Sequence, residues 1–167
     1  MKIPPRLLYQ RYAAYLTAVC SRYVSERDDV RDILQESFLV IFQKLPEFQD
    51  RGEGSLRAWM TRIVVNQSLG WLRKKGRLKF TDIDSSPDIA DEPEADTESI
   101  PPEVIHRMIS ELPDGYRTVF NLYILEERSH KEISEMLGIS EGTSASQLHR
   151  AKAMLAERIR QYRKSRQ

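Results

Sequence analysis

The sequence predicts an all-α chain: two small helical domains joined by a flexible acidic linker, the C-terminal domain carrying a helix-turn-helix. Three observations predict it. Apolar residues recur at three- and four-residue steps along most of the chain, and β-type alternation persists nowhere. Residues 81–102 hold eight carboxylates, four prolines and no Lys or Arg. Charge is divided to match: residues 1–80 carry 15 Lys or Arg against 8 Asp or Glu, residues 103–167 carry 11 against 9, and a formal total of +1 conceals both.

Of the 167 residues, 40% are hydrophobic, which suits globular cores. Each lobe lies near the lower size limit for independent folding, so each is expected to be modestly stable. Cys20 is the single cysteine, which excludes an internal disulfide, and no Cys/His spacing suits structural zinc. No cofactor is expected. No apolar run reaches the roughly 18 residues of a membrane span, and Met1 to Arg11 lacks the apolar core of a secretory signal, so the expectation is a cytoplasmic protein without direct membrane insertion.

Within the first domain, residues 1–80, Leu7, Leu8, Tyr12, Tyr15, Leu16, Val19 and Tyr23 form one apolar helical face, followed by a loop over Ser25 to Asp28. Val30, Ile33, Leu34, Ser37, Phe38, Ile41, Phe42 and Leu45 continue the period in a second helix that Pro46 stops. Glu47 to Gly54 reads as a loop, and Ser55 as the N-cap of a third helix carrying Leu56, Trp59, Met60, Ile63, Val64 and Leu69. Trp71 and Leu72 can extend that helix. Residues 81–102 form the linker, because so many prolines and carboxylates leave little to bury.

The second domain, residues 103–167, opens with a short apolar face at Val104, Ile105, Met108, Ile109 and Leu112, ended by Pro113. Tyr116, Val119, Phe120, Tyr123 and Ile124 make a further helix. Ser129 and Glu132 then have the spacing of a capping box, Ile133 and Leu137 stack on an inner face, and Gly138 can close the helix in a left-handed conformation. Ile139 plugs the turn and Ser140 caps a last helix with Leu148, Ala151 and Leu155 inward. Two helices joined in this way form either a helix-turn-helix, whose second member enters a DNA major groove, or a plain helical hairpin.

Arg73, Lys74, Lys75, Arg77 and Lys79 place five cations in seven positions after a helix containing Trp59, Asn66 and Trp71. Cations beside a nucleic-acid backbone release counterions, and aromatics stack on unpaired bases. Trp59 at this spacing is more often a core residue, and such a cluster can simply be a solvated helix end.

Three ordered blocks carry a family resemblance. Asp32-Ile33-Leu34-Gln35-Glu36-Ser37-Phe38, Ser55-Leu56-Arg57-Ala58-Trp59-Met60-Thr61-Arg62-Ile63-Val64-Val65-Asn66 and Leu112-Pro113-Asp114-Gly115-Tyr116-Arg117-Thr118-Val119-Phe120 resemble segments of the sigma-70 family, in its extracytoplasmic-function branch. The resemblance covers nearly the whole chain. It implies an alternative sigma factor that binds core RNA polymerase, at the clamp helices of the largest subunit and at the flap region, and directs initiation at promoter DNA. It further implies polymerase contacts at Asp32, Gln35, Glu36 and Leu39. Contacts to the −10 element, melted by the first domain, would involve Phe48, Arg51, Asn66, Arg73, Lys74 and Lys75, with the Phe48 to Gly54 loop holding an extruded base. Contacts to the −35 duplex would involve Thr143, Ala145, Ser146, Gln147, Arg150 and Lys152. An anti-sigma factor is an implied partner.

The sequence departs from the family where Ser144-Ala145-Ser146-Gln147 replaces a more basic stretch, which lowers the expected duplex affinity; Gln147 retains the ability to pair with adenine. Ser144 falls at an inward position, where a buried hydroxyl requires a partner. The competing reading is a helix-turn-helix regulator that binds duplex operators without polymerase. An enzyme is disfavoured, since His106, His130 and His149 are dispersed and no phosphate-cradling or metallohydrolase motif is present.

Overall fold

A computed structural model describes residues 3–80 and 99–166 of the chain. Its contacts divide into two units, Met1–Arg77 and Leu78–Gln167. The described residues are helical with no strand. The expected linker lies outside the described residues except for its end. There Ile100 is 6% exposed and packs in the second unit, so the chain is already part of that unit before Pro102.

The first unit is a bundle of α1 (Pro5–Ser21), α2 (Arg27–Lys44) and α3 (Ser55–Lys74), each packed on the other two. Pro5 starts α1 where a missing N–H costs nothing. The inner stripe of α1 is Leu8, Leu16, Val19 and Cys20, continued by Tyr23 and Val24. Leu7, expected on this face, is displaced from it and 42% exposed, because the buried stripe runs one residue further on. Arg27 and Asp28 belong to α2, which therefore begins earlier than expected. Pro46 sits in a 3-10 turn, Leu45–Glu47, that ends α2.

Three buried hydroxyls of this bundle bond along their own helices. Ser37 Oγ donates to the Ile33 carbonyl at 2.7 Å, Thr61 Oγ1 to Arg57 at 2.7 Å and Ser68 Oγ to Val64 at 2.8 Å. Cys20 is buried, beside Ser68 Oγ at 3.4 Å, and burial raises its thiol pKa. It is a small core residue, as its helical position suggests.

In the second unit, α4 (Pro102–Ser110) and α5 (Asp114–Phe120) meet at a joint built around Arg117. Its side chain is 4% exposed, donates to the Leu112 carbonyl at 2.9 Å and the Ser110 carbonyl at 3.2 Å, and pairs with Asp114 Oδ1 at 2.5 Å. A guanidinium at the end of α4 thus fills carbonyls the helix leaves orphaned. A π-helical turn, Asn121–Leu125, follows α5. Then α6 (His130–Leu137) and α7 (Glu141–Ser165) pack together around Ile133, Leu148 and Ala151. A second small core, Ile100, Met108 and Ile159, joins α4 to the far half of α7.

Both tryptophans, Trp59 and Trp71, lie in α3, so tryptophan fluorescence reports unfolding of the first unit alone. Leu16 is fully buried in that unit. Leu16→Ala is expected to lower its stability by about 2–5 kcal/mol, read as a fall in the urea midpoint of the tryptophan signal.

Candidate nucleic-acid and protein-docking surfaces

On α2, Asp32, Gln35, Glu36 and Leu39 are all exposed, Leu39 to 55%. Their spacing of three and four residues puts them on one helical face while Ile33, Leu34, Ser37 and Phe38 turn inward. Gln35 and Leu39 also line a groove of about 1040 Å³ between α1 and α2, together with Tyr9, Leu34, Phe38 and Phe42. Tyr9 is missing from the sequence expectation. It is 54% exposed and its ring lies 4.9 Å from that of Phe38, which in turn lies 5.7 Å from Phe42. The face thus combines two carboxylates with the exposed Leu39 and Tyr9, a chemistry suited to a partner helix with basic and apolar side chains.

The loop between α2 and α3 is closed by its own side chains. Asp50 Oδ1 accepts from the Gly52 N–H at 3.0 Å and from Ser55 Oγ at 3.1 Å, and Ser55 Oγ accepts from the Arg51 N–H at 3.1 Å. The N-cap of α3 is Gly54, at φ +83°, and not Ser55 as expected. Glycine reaches this left-handed backbone without strain, which leaves Ser55 as the first helical residue with its hydroxyl turned back into the loop. Arg51 is exposed at the tip, whereas Phe48 is half-buried with its ring 5.0 Å from Trp59. Trp59 is half-buried as well, so these two rings form the wall at the base of the loop.

Asn66, Arg73, Lys74 and Lys75 are exposed along α3. Arg62 and Gly70, also exposed, complete a stripe with Asn66 and Arg73 at helical spacing; Arg62 escaped the sequence reading, although its position four before Asn66 signals it. Trp71 is half-buried under Lys75 and Arg77, whose charged groups lie 5.8 and 5.4 Å from its ring. Arg77 also pairs with Glu26 at 3.5 Å, and the backbone N–H of Glu26 together with that guanidinium holds its carboxyl below the ordinary range.

The turn of the second unit has the local geometry its sequence implies. Ser129 Oγ accepts from the Glu132 N–H at 3.1 Å, Glu132 Oε1 accepts from the Ser129 N–H at 3.1 Å, Gly138 has φ +68°, and Ser140 Oγ accepts from the Thr143 N–H at 3.0 Å. Ile139 is half-buried in the turn. Of the residues assigned to the duplex, Ala145 and Lys152 are exposed, and Thr143, Ser146 and Arg150 are half-buried.

Gln147 departs from the expectation. It is 6% exposed, and its amide oxygen lies 3.3 Å from where a Cβ on Gly115 would stand. The rotation of α7 that turns Ala145 outward turns Gln147 toward α5, so its amide is enclosed against Gly115 and not displayed on the outer surface. The outward surface at the start of α7 is Glu141, Gly142 and Ala145, without a cation until Arg150 and Lys152. Ser144, fully buried, finds the partner its position demands: Oγ lies 2.8 Å from Nδ1 of His130.

Among the described residues no group of three or more His, Cys, Asp or Glu is placed to hold a metal ion, and no helix is long and apolar enough to cross a membrane.

Two family models match the chain: sigma-70 region 2 over residues 8–78 and sigma-70 region 4 over residues 103–155. Among curated relatives, an ECF RNA polymerase sigma-E factor of Haemophilus influenzae is 30% identical, the alignment covering 92% of this chain and 86% of the relative. The RNA polymerase sigma factor YlaC of Bacillus subtilis is 26% identical over 91% and 90% of the two chains. Among solved structures, the sigma factor RpoE of Bartonella quintana, in complex with the anti-sigma factor NepR, superposes with a TM-score of 0.56 at 22% identity, covering 93% of this chain and 96% of that one. That last likeness is one of fold.

The capping geometry generates a pH dependence. The Ser129 N–H, followed by Arg128, holds the Glu132 carboxyl below its ordinary pKa. A carboxyl depressed by folding stabilises the fold above its unfolded pKa and loses that effect as pH falls through its folded one. Wild type is therefore expected to exceed Glu132→Gln in stability at neutral pH. The gap should close on acidification through the carboxylate range, as measured by urea unfolding followed by circular dichroism.

Proposed function

The chain belongs to the sigma-70 family, in its extracytoplasmic-function branch, and from that premise we propose how its surfaces divide the work of promoter recognition. It is an alternative sigma factor: it binds core RNA polymerase and directs promoter-specific initiation of transcription, and an anti-sigma factor is among its partners. Sigma factors act by binding; in this reading the chain performs no catalytic step of its own and works in the cytoplasm, beside polymerase.

In the proposed division, residues 1–80 carry the docking and −10 functions, and residues 103–167 the −35 function. Asp32, Gln35, Glu36 and Leu39 contact the clamp helices of the largest polymerase subunit. The observation that carries this assignment is the 55% exposure of Leu39 on the face that holds Asp32 and Glu36, at the edge of the α1/α2 groove. A single exposed leucine needs no partner, but Leu39 and Tyr9 line one groove and together make an apolar patch of the kind a partner covers. Tyr9 extends the same face.

The −10 strand is proposed to run along Arg62, Asn66, Arg73, Lys74 and Lys75, with Arg51 at the loop tip and the Phe48–Trp59 wall behind an unstacked base. Base extrusion costs a few kcal/mol, which a preformed loop offsets by needing little ordering of its own. The hydrogen bonds among Asp50, Arg51, Gly52 and Ser55 support that reading, since they close the loop with its own groups. At the −35 element, Thr143, Ala145, Ser146, Arg150 and Lys152 face the duplex, and with so little positive charge at the start of α7 its affinity alone is weak. Tethering both units to one polymerase raises the effective concentration of each for its element. This explains how weak contacts suffice.

Two measurements test the scheme. Leu39→Arg is expected to abolish co-purification with core polymerase and promoter-specific RNA in reconstituted transcription, with helical content unchanged; an operator-binding regulator would bind its duplex undiminished. Lys74→Gln with Lys75→Gln is expected to flatten the salt dependence of holoenzyme binding to a forked promoter whose −10 strand is unpaired, by roughly 0.7 in the log–log slope for each phosphate that is no longer neutralised.

A further inference from the structure

His130 is a residue the promoter-recognition scheme leaves unused, yet it sits where three elements of the second unit converge. Its ring stacks on Tyr123 of the π-helical turn, centroids 4.7 Å apart and planes at 22°, and Nδ1 lies 2.8 Å from Ser144 Oγ on α7. Ser144 is fully buried, so its hydroxyl cannot turn to water instead. We infer that His130 is a positioning residue for sequence reading: through Ser144 it fixes the rotation of α7 about its own axis and so decides which side chains face the DNA groove.

Two constraints act on the first turn of α7, and they do different things. Ser140, through its bond to the Thr143 N–H, fixes where the helix starts along its axis. It leaves rotation to side-chain packing, and the inward side chains of that turn are small. Ser144 is the one residue of the turn that is fully buried, and its neighbour Ala145 is exposed. The His130 contact therefore ties the inward direction to α6, while the stack on Tyr123 holds the imidazole.

On a helix about 5–6 Å in radius with side chains, a rotation of about 20° carries a side-chain tip by roughly 2 Å. A hydrogen bond to a base edge does not survive such a shift. His130 thus acts on specificity without touching DNA. The inference rests on the reading that α7 enters the −35 duplex.

The test uses holoenzyme assembled from core polymerase and the full chain. The probe is a pool of promoters, located by mapping transcript starts after controlled expression, randomised across the −35 element, with yields counted by sequencing. His130→Phe keeps a ring on Tyr123 but removes the bond to Ser144. It is expected to reduce the ratio between preferred and median −35 sequences roughly fivefold or more. His130→Asn, which can place a polar atom near the position of Nδ1, is expected to restore the ratio to within about twofold.

Ser144→Ala should resemble His130→Phe, and the double variant should be no worse than either, since both remove one interaction. Ile133→Val destabilises the same unit without touching the bond and is expected to leave the base preferences intact, which separates positioning from stability. Unchanged preferences in His130→Phe, or additive losses in the double variant, would overturn the inference. A wild-type protein indifferent to the −35 bases would overturn the duplex reading beneath it, and is recognised because the variants are then indifferent too.

Discussion

Small helical units leave little apolar interior to compensate for a polar group without a partner, and that constraint shapes both halves of this chain. Each unsatisfied buried group costs about 1–3 kcal/mol, a large share of what a domain of this size can hold. Ser37, Thr61 and Ser68 consequently bond to carbonyls one turn back, Arg117 fills the end of α4, and Ser144 meets His130. The same accounting governs the helix ends: two serines cap α6 and α7 and a left-handed glycine separates them. The turn between α6 and α7 uses capping hydrogen bonds of its own, which leaves its outer side chains as the variable part.

What could be read from the sequence follows from how local each interaction is. The capping box, Gly138 and the Ser140 cap depend on residues at most a few positions apart, and each is found where its spacing puts it. Helix existence was legible for the same reason. Ser55 was misread because two adjacent candidates could cap α3 and only the positive φ of Gly54 decides between them. The burial of Gln147 was not legible for a different reason: whether that amide faces outward or toward α5 depends on the rotation of α7, which packing across several elements decides. Ile100 looked like linker because its packing partners, Met108 and Ile159, lie in two other helices. The exposed polar face of α2 was readable from periodicity, but Tyr9 beside it was not, since it comes from α1.

The two units differ in how they present binding groups. In the first, cations and an amide run along the exposed length of α3, close to a loop closed by Asp50 and Ser55, so charge and shape act together. In the second, the start of α7 offers small side chains and one carboxylate, and its cations come later in the helix. In the proposed −35 role, such a surface makes discrimination rest on fit more than on attraction, so helix rotation matters more than it would on a strongly basic surface.

The second small core has a mechanical meaning. Because α4 is bound to the far half of α7, around Ile159, the first helix of the unit is clamped by its last. Shortening the chain to the end of the region 4 match at residue 155 would remove Ile159 and Tyr162 and leave α4 without its seat. The turns of α7 beyond residue 155 thus complete the core on which α4 rests.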